Sequence, residues 1–179
     1  MTDIIEKARE FAEVAHANQN YGHNPYTRHL EDVVRVLRRF GYDDETTLAS
    51  GYLHDVGEDC VDGLKNVSAI FPDHVYQIVR FCTDEEGPNR RIRKQLTYAR
   101  MAREIANWQS NPSRTPWTLN AIRVKVADRY ANVACCANGK DLDRLQMYRK
   151  DHSEFFRTLH VEGACHHRMW DDIRHNLFG

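Results

Sequence analysis

The sequence has few of the features that mark membrane, secreted or nucleic-acid-binding proteins. No apolar run in its 179 residues approaches the roughly 20 that a transmembrane helix needs. The amphipathic opening segment, MTDIIEKAREFAEVAH, lacks the apolar centre of a signal peptide. The formal net charge is −1, which gives no general attraction for nucleic acid or a membrane surface. We therefore expect a cytoplasmic protein with neither kind of partner.

Cysteine is scarce and is not arranged as in zinc ribbons. No CxxC spacing occurs among the five cysteines, which are Cys60, Cys82, Cys135, Cys136 and Cys165. An odd number of cysteines without a signal sequence is typical of reduced cytosolic thiols. The ten histidines are more notable, because surplus histidine accompanies metal binding or acid–base chemistry. Composition leaves both interpretations open.

Credible strands are also lacking, since apolar residues recur almost throughout with a helical period. The pattern predicts helices over 4–17, 29–40, 44–59, 72–82, 90–108, 119–137, 141–159 and 160–177. Polar residues, glycine and proline predict loops over 83–89 and 107–118, and the loops around Gly87 and Pro112 are candidate lids. We predict an all-α fold with a single helical-bundle domain over residues 1–179.

The segment GYLHDVGEDC, residues 51–60, is the first candidate site. On a continuous helix, His54 would lie four residues before Glu58, and Asp55 four before Asp59, so that all four share one side. Carboxylates on a packed helix cost free energy unless a cation or hydrogen-bond donors compensate them. The alternative is an ordinary solvated acidic turn where the helix ends.

Two further segments supply residues that a metal site would need. PYTRHLEDV places His29 at a helix start, where a lone histidine is usually a surface residue or a cap. VKVADRYANV places Asp128 within an apolar helix, with Asn132 four residues later on the same face. A lone aspartate there is usually exposed or salt-bridged. Two imidazoles and two carboxylates suit Mn²⁺, Fe²⁺ or Zn²⁺ within a helical bundle, the four being His29, His54, Asp55 and Asp128.

The order of these residues resembles the H…HD…D signature of HD-domain metal phosphohydrolases. Longer segments resemble the hydrolase domain of RelA/SpoT-type proteins, most of all its stand-alone form, the small alarmone hydrolases. They are AHANQ, NPYTRHLEDV, LHDVGEDC, FPDHVYQIVRFCTDEEG, NRRIRKQLTYA, VKVADRYANV and LQMYRKDHSEF. This ordered set covers about residues 15–156 and is far more specific than a His-Asp pair.

The resemblance implies hydrolysis of the 3′-pyrophosphate of a hyperphosphorylated nucleotide, which gives nucleotide and pyrophosphate. It implies one Mn²⁺, with Fe²⁺ and Zn²⁺ as alternatives, held by His29, His54, Asp55 and Asp128. It also implies that Glu58 and Asp59 position and deprotonate water, or protonate the leaving group. The implied substrate-binding residues are Asn132, Arg90, Arg144 and Tyr148. For the last two, an ordinary helix surface is an equal alternative.

One departure from the family concerns the nucleotide base. Many members carry an Arg-Lys pair shortly after the residue that matches Gln19, where this chain has NYGH. Tyr21 in that segment could stack on a base or pack against the turn. Guanosine substrates such as ppGpp are the default that the resemblance implies. Adenosine substrates such as ppApp and pppApp are the alternative, because the segment that contacts the base has diverged.

Two other functions fit the same signature. One is an HD-domain phosphatase that acts on nucleotide monophosphates or NADPH, and the other is a non-catalytic alarmone sensor. Glu58 and Asp59 favour a catalyst, because a sensor does not need them. We recognise no synthetase, TGS or ACT segment and so expect a hydrolase only, with its oligomeric state left open.

Overall fold

The fold is described from a computed structural model over residues 3–179. Met1 and Thr2, which belong to the predicted amphipathic segment and domain, lie outside the described residues. The elements in chain order are α1 (Ile4–Ala15), β1 (Asn20–Tyr21), β2 (Asn24–Pro25), α2 (Thr27–Arg39), α3 (Glu45–Leu53), α4 (Val56–Asp59), α5 (Gly63–Ile70), α6 (Asp73–Cys82), α7 (Arg90–Ser110), α8 (Thr118–Gly139), α9 (Leu142–Leu159) and α10 (His167–Phe178).

The all-α prediction is confirmed. The structure adds one short hairpin between α1 and α2, whose two strands have two residues each. Strands β1 and β2 pair antiparallel, with Tyr21 opposite Asn24 and Asn20 opposite Pro25. Gly22 occupies the turn with φ +64°, a backbone conformation that favours glycine. The hairpin lies beside the start of α2 and so places its side chains near His29.

Short polar side chains begin several helices, as the sequence indicated for Asp44. The Asp44 carboxylate accepts a hydrogen bond from the Thr47 backbone N–H, and the Asn89 side chain does the same for Ile92. Asp141 caps α9 in the same way through Arg144. Each cap satisfies a helix N–H that has no partner within the helix.

Three helix predictions are wrong in their bounds. The polar residues 107–110 continue α7, which ends at Ser110 because Pro112 disfavours a helical conformation at Asn111. The segment 160–166 is not helical and turns at Gly163 with φ +74°. The helix predicted over 44–59 is interrupted at His54 and Asp55, between α3 and α4.

Helix α8 lies at the centre of the bundle and supports the site. It packs against α2, α3, α6, α7, α9 and α10. Its apolar side chains are buried almost completely, among them Ile122, Val124, Val126 and Val133. Because α2, α3 and α8 are mutual neighbours, polar residues on their facing sides are brought together inside the bundle. Within residues 3–179, no helix is both long enough and apolar enough to cross a membrane.

Candidate active site

Four polar side chains converge where α2, the α3–α4 junction and α8 meet. The Nε2 atom of His29 lies 3.4 Å from Asp55 Oδ2 and 3.4 Å from Asp128 Oδ1. The Nε2 atom of His54 lies 3.1 Å and 3.7 Å from the same two oxygens. Both imidazoles are buried, and the two carboxylates are only about one-seventh exposed, at 15% and 14%. Even without Asp128, the ligand atoms of His29, His54 and Asp55 lie close enough together to form a possible metal site.

The orientation of His54 fits a metal ligand. Its Nδ1–H donates to the Gly51 carbonyl oxygen at 2.8 Å, which leaves the lone pair on Nε2 directed at the carboxylates. The buried Nε2 has no hydrogen-bond partner among the described residues. A lone pair that faces two carboxylates is unfavourable unless a proton or a metal cation lies between them. The donor set therefore fits a divalent cation.

Electrostatics in this cluster favour a bound positive charge. Burial lowers the pKa of His54, but Asp55 and Asp128 outweigh burial and raise that pKa to about 10. Burial raises the pKa of Asp128, but Lys125 and the two histidines outweigh it and hold that pKa well below its usual range. The pKa of Asp55 is held low in the same way by His54 and His29. A field that retains a proton on buried histidine also attracts a divalent cation.

Tyr26, at the start of α2, links the cluster to Asp59. Its hydroxyl lies 2.7 Å from Asp55 Oδ2 and 2.9 Å from Asp59 Oδ2, and its ring stacks on His16. Burial and the nearby charge of Asp55 raise the pKa of Asp59. The Gln19 side chain also donates to the Asp59 carbonyl oxygen, at 2.8 Å. Asp59 is therefore held at the edge of the metal cluster.

Glu58 turns away from Asp59 and toward a basic part of the cavity. Its Oε2 accepts a hydrogen bond from the Asp84 backbone N–H at 3.4 Å. The surrounding protein desolvates the carboxylate and raises the pKa of Glu58, which Lys125 and Lys94 oppose. The single continuous helix predicted here is interrupted at His54 and Asp55, but the Asp59 backbone N–H still donates to the Asp55 carbonyl oxygen four residues earlier, at 2.9 Å. Glu58 and Asp59 nevertheless both line the cavity.

The cavity above the cluster has a volume of about 230 Å³. Five carboxylates line it, namely Asp55, Glu58, Asp59, Asp84 and Asp128. Five cationic side chains also line it, namely Arg90, Arg93, Lys94, Lys125 and Arg129. Two of the carboxylates, Asp55 and Asp128, belong to the metal cluster with His29, whereas the cations can contact a bound anion.

Several of these cations are held by ion pairs. Lys94 lies 2.8 Å from Asp84, and Lys125 lies 3.4 Å from Asp128. Lys125 also donates to the Cys82 carbonyl oxygen at 2.9 Å. Such pairing fixes the ammonium groups in place before any substrate arrives.

The predicted substrate contacts are distributed over two neighbouring cavities. Arg90 and Tyr148 line the main cavity, where Arg90 pairs with Asp151 at 2.7 Å. Arg144 is exposed and lines an adjacent cavity together with Tyr21. Arg144 and Tyr148, predicted to act together, therefore border different spaces.

Arg129 is a buried cation that the sequence did not single out as a site residue. It pairs with Asp151 at 3.0 Å and lies over the rings of Tyr148 and Phe155, at 4.7 Å and 4.1 Å. Asp84, Tyr26 and Lys125 are further lining residues that sequence reasoning missed. A usable signal existed for Lys125, which interrupts an apolar run three residues before Asp128.

Asn132 and Tyr21 adjoin the cluster on its hairpin side. The Asn132 amide nitrogen donates to Asp128 Oδ1 at 2.5 Å, and its amide oxygen accepts from the Tyr21 hydroxyl at 2.8 Å. The Tyr21 ring stacks on His29 with centroids 4.8 Å apart and an interplanar angle of 19°. One face of Tyr21 is therefore already occupied by protein.

Sequence comparison identifies the class of this protein. The profile described as HD domain matches residues 8–153, most of the chain. The chain belongs to the HD domain family. HD domains are metal-dependent, in agreement with the possible His-His-Asp site.

Individual relatives agree with the RelA/SpoT resemblance. A "Probable GTP pyrophosphokinase" of Mycobacterium leprae (strain TN) is 31% identical over 131 residues, which are 73% of this chain and 15% of that protein. The chain thus spans about one-seventh of that relative's length. A solved structure described as "A metazoan ortholog of SpoT hydrolyzes ppGpp and plays a role in starvation responses" matches with a TM-score of 0.76 and 22% identity, over 98% of this chain and 96% of that one. This match confirms the predicted fold.

Proposed function

We propose that this protein is a Mn²⁺-dependent hydrolase that removes the 3′-pyrophosphate from hyperphosphorylated nucleotides. The substrates would be (p)ppGpp, with ppApp and pppApp as the adenosine alternatives. The observation that carries the proposal is one cavity that contains both a His/Asp cluster and five cationic side chains. The cluster suits a divalent cation, and the cations suit a polyphosphate.

Four residues would hold the metal in this proposal: His29, His54, Asp55 and Asp128. When bound, a divalent cation acts as a Lewis acid that activates water and stabilises charge on a phosphoryl group. His54 is pre-oriented for this role by its bond to Gly51.

Glu58 and Asp59 would manage the protons of the reaction. Water adds across the bond between the nucleotide 3′-oxygen and phosphorus, so one proton leaves the water and one reaches the 3′-oxygen. The raised pKa values of both carboxyls bring them closer to the range where a side chain can accept and return a proton near neutral pH. Asp59, held beside the cluster by the Tyr26 hydroxyl, would position the water, and Glu58 would accept the proton of the water and return it to the 3′-oxygen.

The cationic side of the cavity would bind the phosphates. Arg90, Arg93 and Lys94 come from the first turns of α7, and Lys125 and Arg129 from the core helix α8. Asn132 would contact the nucleotide sugar or its phosphate. The relative whose description says that it hydrolyzes ppGpp supports this substrate class.

A product assay tests the proposal. Purified protein with Mn²⁺ is incubated separately with ppGpp, pppGpp, ppApp, pppApp, a deoxynucleoside monophosphate and NADPH, and anion exchange separates the products. We expect release of pyrophosphate that a chelator abolishes. Glu58→Gln with Asp59→Asn should remove turnover and leave nucleotide binding intact, whereas Glu10→Gln on the exposed face of α1 should turn over like wild type.

The assay also separates the alternative functions. Release of phosphate from NADPH or a monophosphate, without pyrophosphate from any 3′-pyrophosphorylated nucleotide, would contradict the proposal and identify an HD-domain phosphatase. Nucleotide binding without turnover in the metal-loaded wild type would identify a sensor.

A further inference from the structure

The hairpin β1–β2 and the residue that follows it support both candidate carboxylate ligands. Tyr26, directly after β2, contacts Asp55 through its hydroxyl at 2.7 Å. Tyr21, at the end of β1, reaches Asp128 through Asn132. Two tyrosines from one short segment thus approach the cluster from the same side.

The contact between Tyr21 and Asn132 helps to hold the Asn132 amide in one orientation. The Tyr21 hydroxyl donates to the amide oxygen, so the amide NH₂ faces the Asp128 carboxylate and donates to it. A reversed amide would place its oxygen against a carboxylate oxygen, which is repulsive. The Asp128 carboxylate therefore sets the amide orientation, and the Tyr21 O–H holds the amide there by donating to its oxygen.

The ring of Tyr21 supports the other side of the cluster. The Nδ1 atom of His54 donates to the Gly51 carbonyl oxygen, which fixes the His54 ring. The buried Nδ1 atom of His29, by contrast, has no hydrogen-bond partner among the described residues. Its ring instead stacks on Tyr21 at 4.8 Å. Stacking restricts the ring's rotation and so keeps Nε2 directed toward Asp55 and Asp128.

We propose that Tyr21 is a positioning residue of the metal centre, which orients Asp128 through Asn132 and holds the His29 ring by stacking. The inference rests on the metal ligands of the proposed function and not on its substrate. It assigns Tyr21 a role within the metal centre, where His29 covers one face of its ring and Asn132 accepts the bond from its hydroxyl.

Calorimetric titration with Mn²⁺ alone tests this inference on the wild type, Tyr21→Phe, Asn132→Leu and the double variant. Tyr21→Phe removes one hydrogen bond and keeps the ring, so we expect about 5- to 10-fold weaker Mn²⁺ binding. Asn132→Leu should weaken binding about 10- to 100-fold, as is typical for residues that orient ligands. Adding Tyr21→Phe to Asn132→Leu should change Mn²⁺ affinity by less than about twofold, because the Tyr21 hydroxyl acts on Asp128 only through Asn132.

Two controls separate positioning from general stability. Tyr76→Phe on α6, outside the cavity lining, should bind Mn²⁺ like wild type. The metal-free Tyr21→Phe protein should unfold within about 6 °C of the wild-type temperature, the shift expected for one lost hydrogen bond. The electron paramagnetic resonance spectrum of its bound Mn²⁺ should differ from that of the wild type.

A Tyr21→Phe variant that binds Mn²⁺ as tightly as the wild type would overturn the inference. So would a Tyr21→Phe change that weakens Mn²⁺ binding by the same factor in the wild type and in Asn132→Leu. If wild type binds no Mn²⁺, both the ligand assignment and the inference fail. No nucleotide is present, so a negative product assay would not alter the result of this titration.

Discussion

The Cβ position that Gly63 lacks lies 1.9 Å from the backbone carbonyl oxygen of Val56. Gly63 begins α5, and Val56 begins α4, the short helix that carries Glu58 and Asp59. No real Cβ approaches a backbone oxygen so closely, so any side chain at 63 must push the two helices apart. The absence of a side chain at Gly63 therefore helps to position both carboxylates.

Gly63→Ala should lower both stability and turnover. We expect the free energy of unfolding to fall by about 1–3 kcal/mol, the usual cost of overpacking, because the contact is with backbone that cannot rotate away. Urea denaturation measures this loss. Gly139→Ala near the end of α8 is the matched control, since its Cβ meets nothing within 4 Å, and it should gain up to about 1 kcal/mol. Equal stability of Gly63→Ala and wild type would contradict the steric argument.

Mn²⁺ should stabilise the folded protein against heat. At a concentration about 100 times its Kd, a ligand that binds only the folded state adds about 2.7 kcal/mol, which corresponds to about 5–10 °C in Tm for a chain of this size. Differential scanning fluorimetry with Mn²⁺ and with EDTA measures the shift. His54→Gln should abolish the shift, and His74→Gln, an exposed histidine on α6, should retain it. A shift that persists in His54→Gln would place the metal elsewhere.

The acidic limb of the pH–rate profile should reflect Glu58. The surrounding protein raises the pKa of Glu58 above the ordinary value of 4.5, so the carboxyl keeps its proton to a higher pH than a free glutamate. A group that must be ionised to accept a proton then loses activity as pH falls through that raised pKa. We expect kcat/KM to fall on the acid side at a pH above 4.5, and Glu58→Gln to lose about 100- to 10,000-fold across the profile. An unchanged profile in Glu58→Gln would exclude this role.

The thiols should differ sharply in reactivity. Burial raises the pKa of Cys60 and Cys136 to about 11 and of Cys82 and Cys165 to about 12, and Cys135 is exposed. Thiolate is the reactive form, so at pH 8 the folded protein should show one fast-reacting thiol with a disulfide reagent, and five in urea. Cys135→Ser should remove the fast phase. More than one fast thiol in the folded wild type would contradict the raised pKa values of the other four.

Local sequence signals predicted most helices because their apolar period and caps act within a few residues. Asp44 and Gly41 mark helix boundaries through their own backbone preferences, which do not depend on the rest of the fold. The interruption at His54 and Asp55 was not predictable in this way. The helical period of the sequence continues on both sides of these two residues, so the sequence pattern does not indicate a break. The break is seen only in the folded protein, where the two residues face α2 and α8.

The sequence by itself determined the helical class, the family and the four candidate ligands, because period and ordered motifs are properties of the chain. Only the tertiary structure decided which further charged side chains join them. Lys125, Arg129 and Asp84 reach the cavity through packing of α8, α7 and α9, contacts between residues far apart in the chain. Tertiary structure likewise places Tyr21, a residue of the hairpin, in contact with His29 and Asn132. Spacing along a helix specifies which residues share a face, but only packing specifies what that face meets.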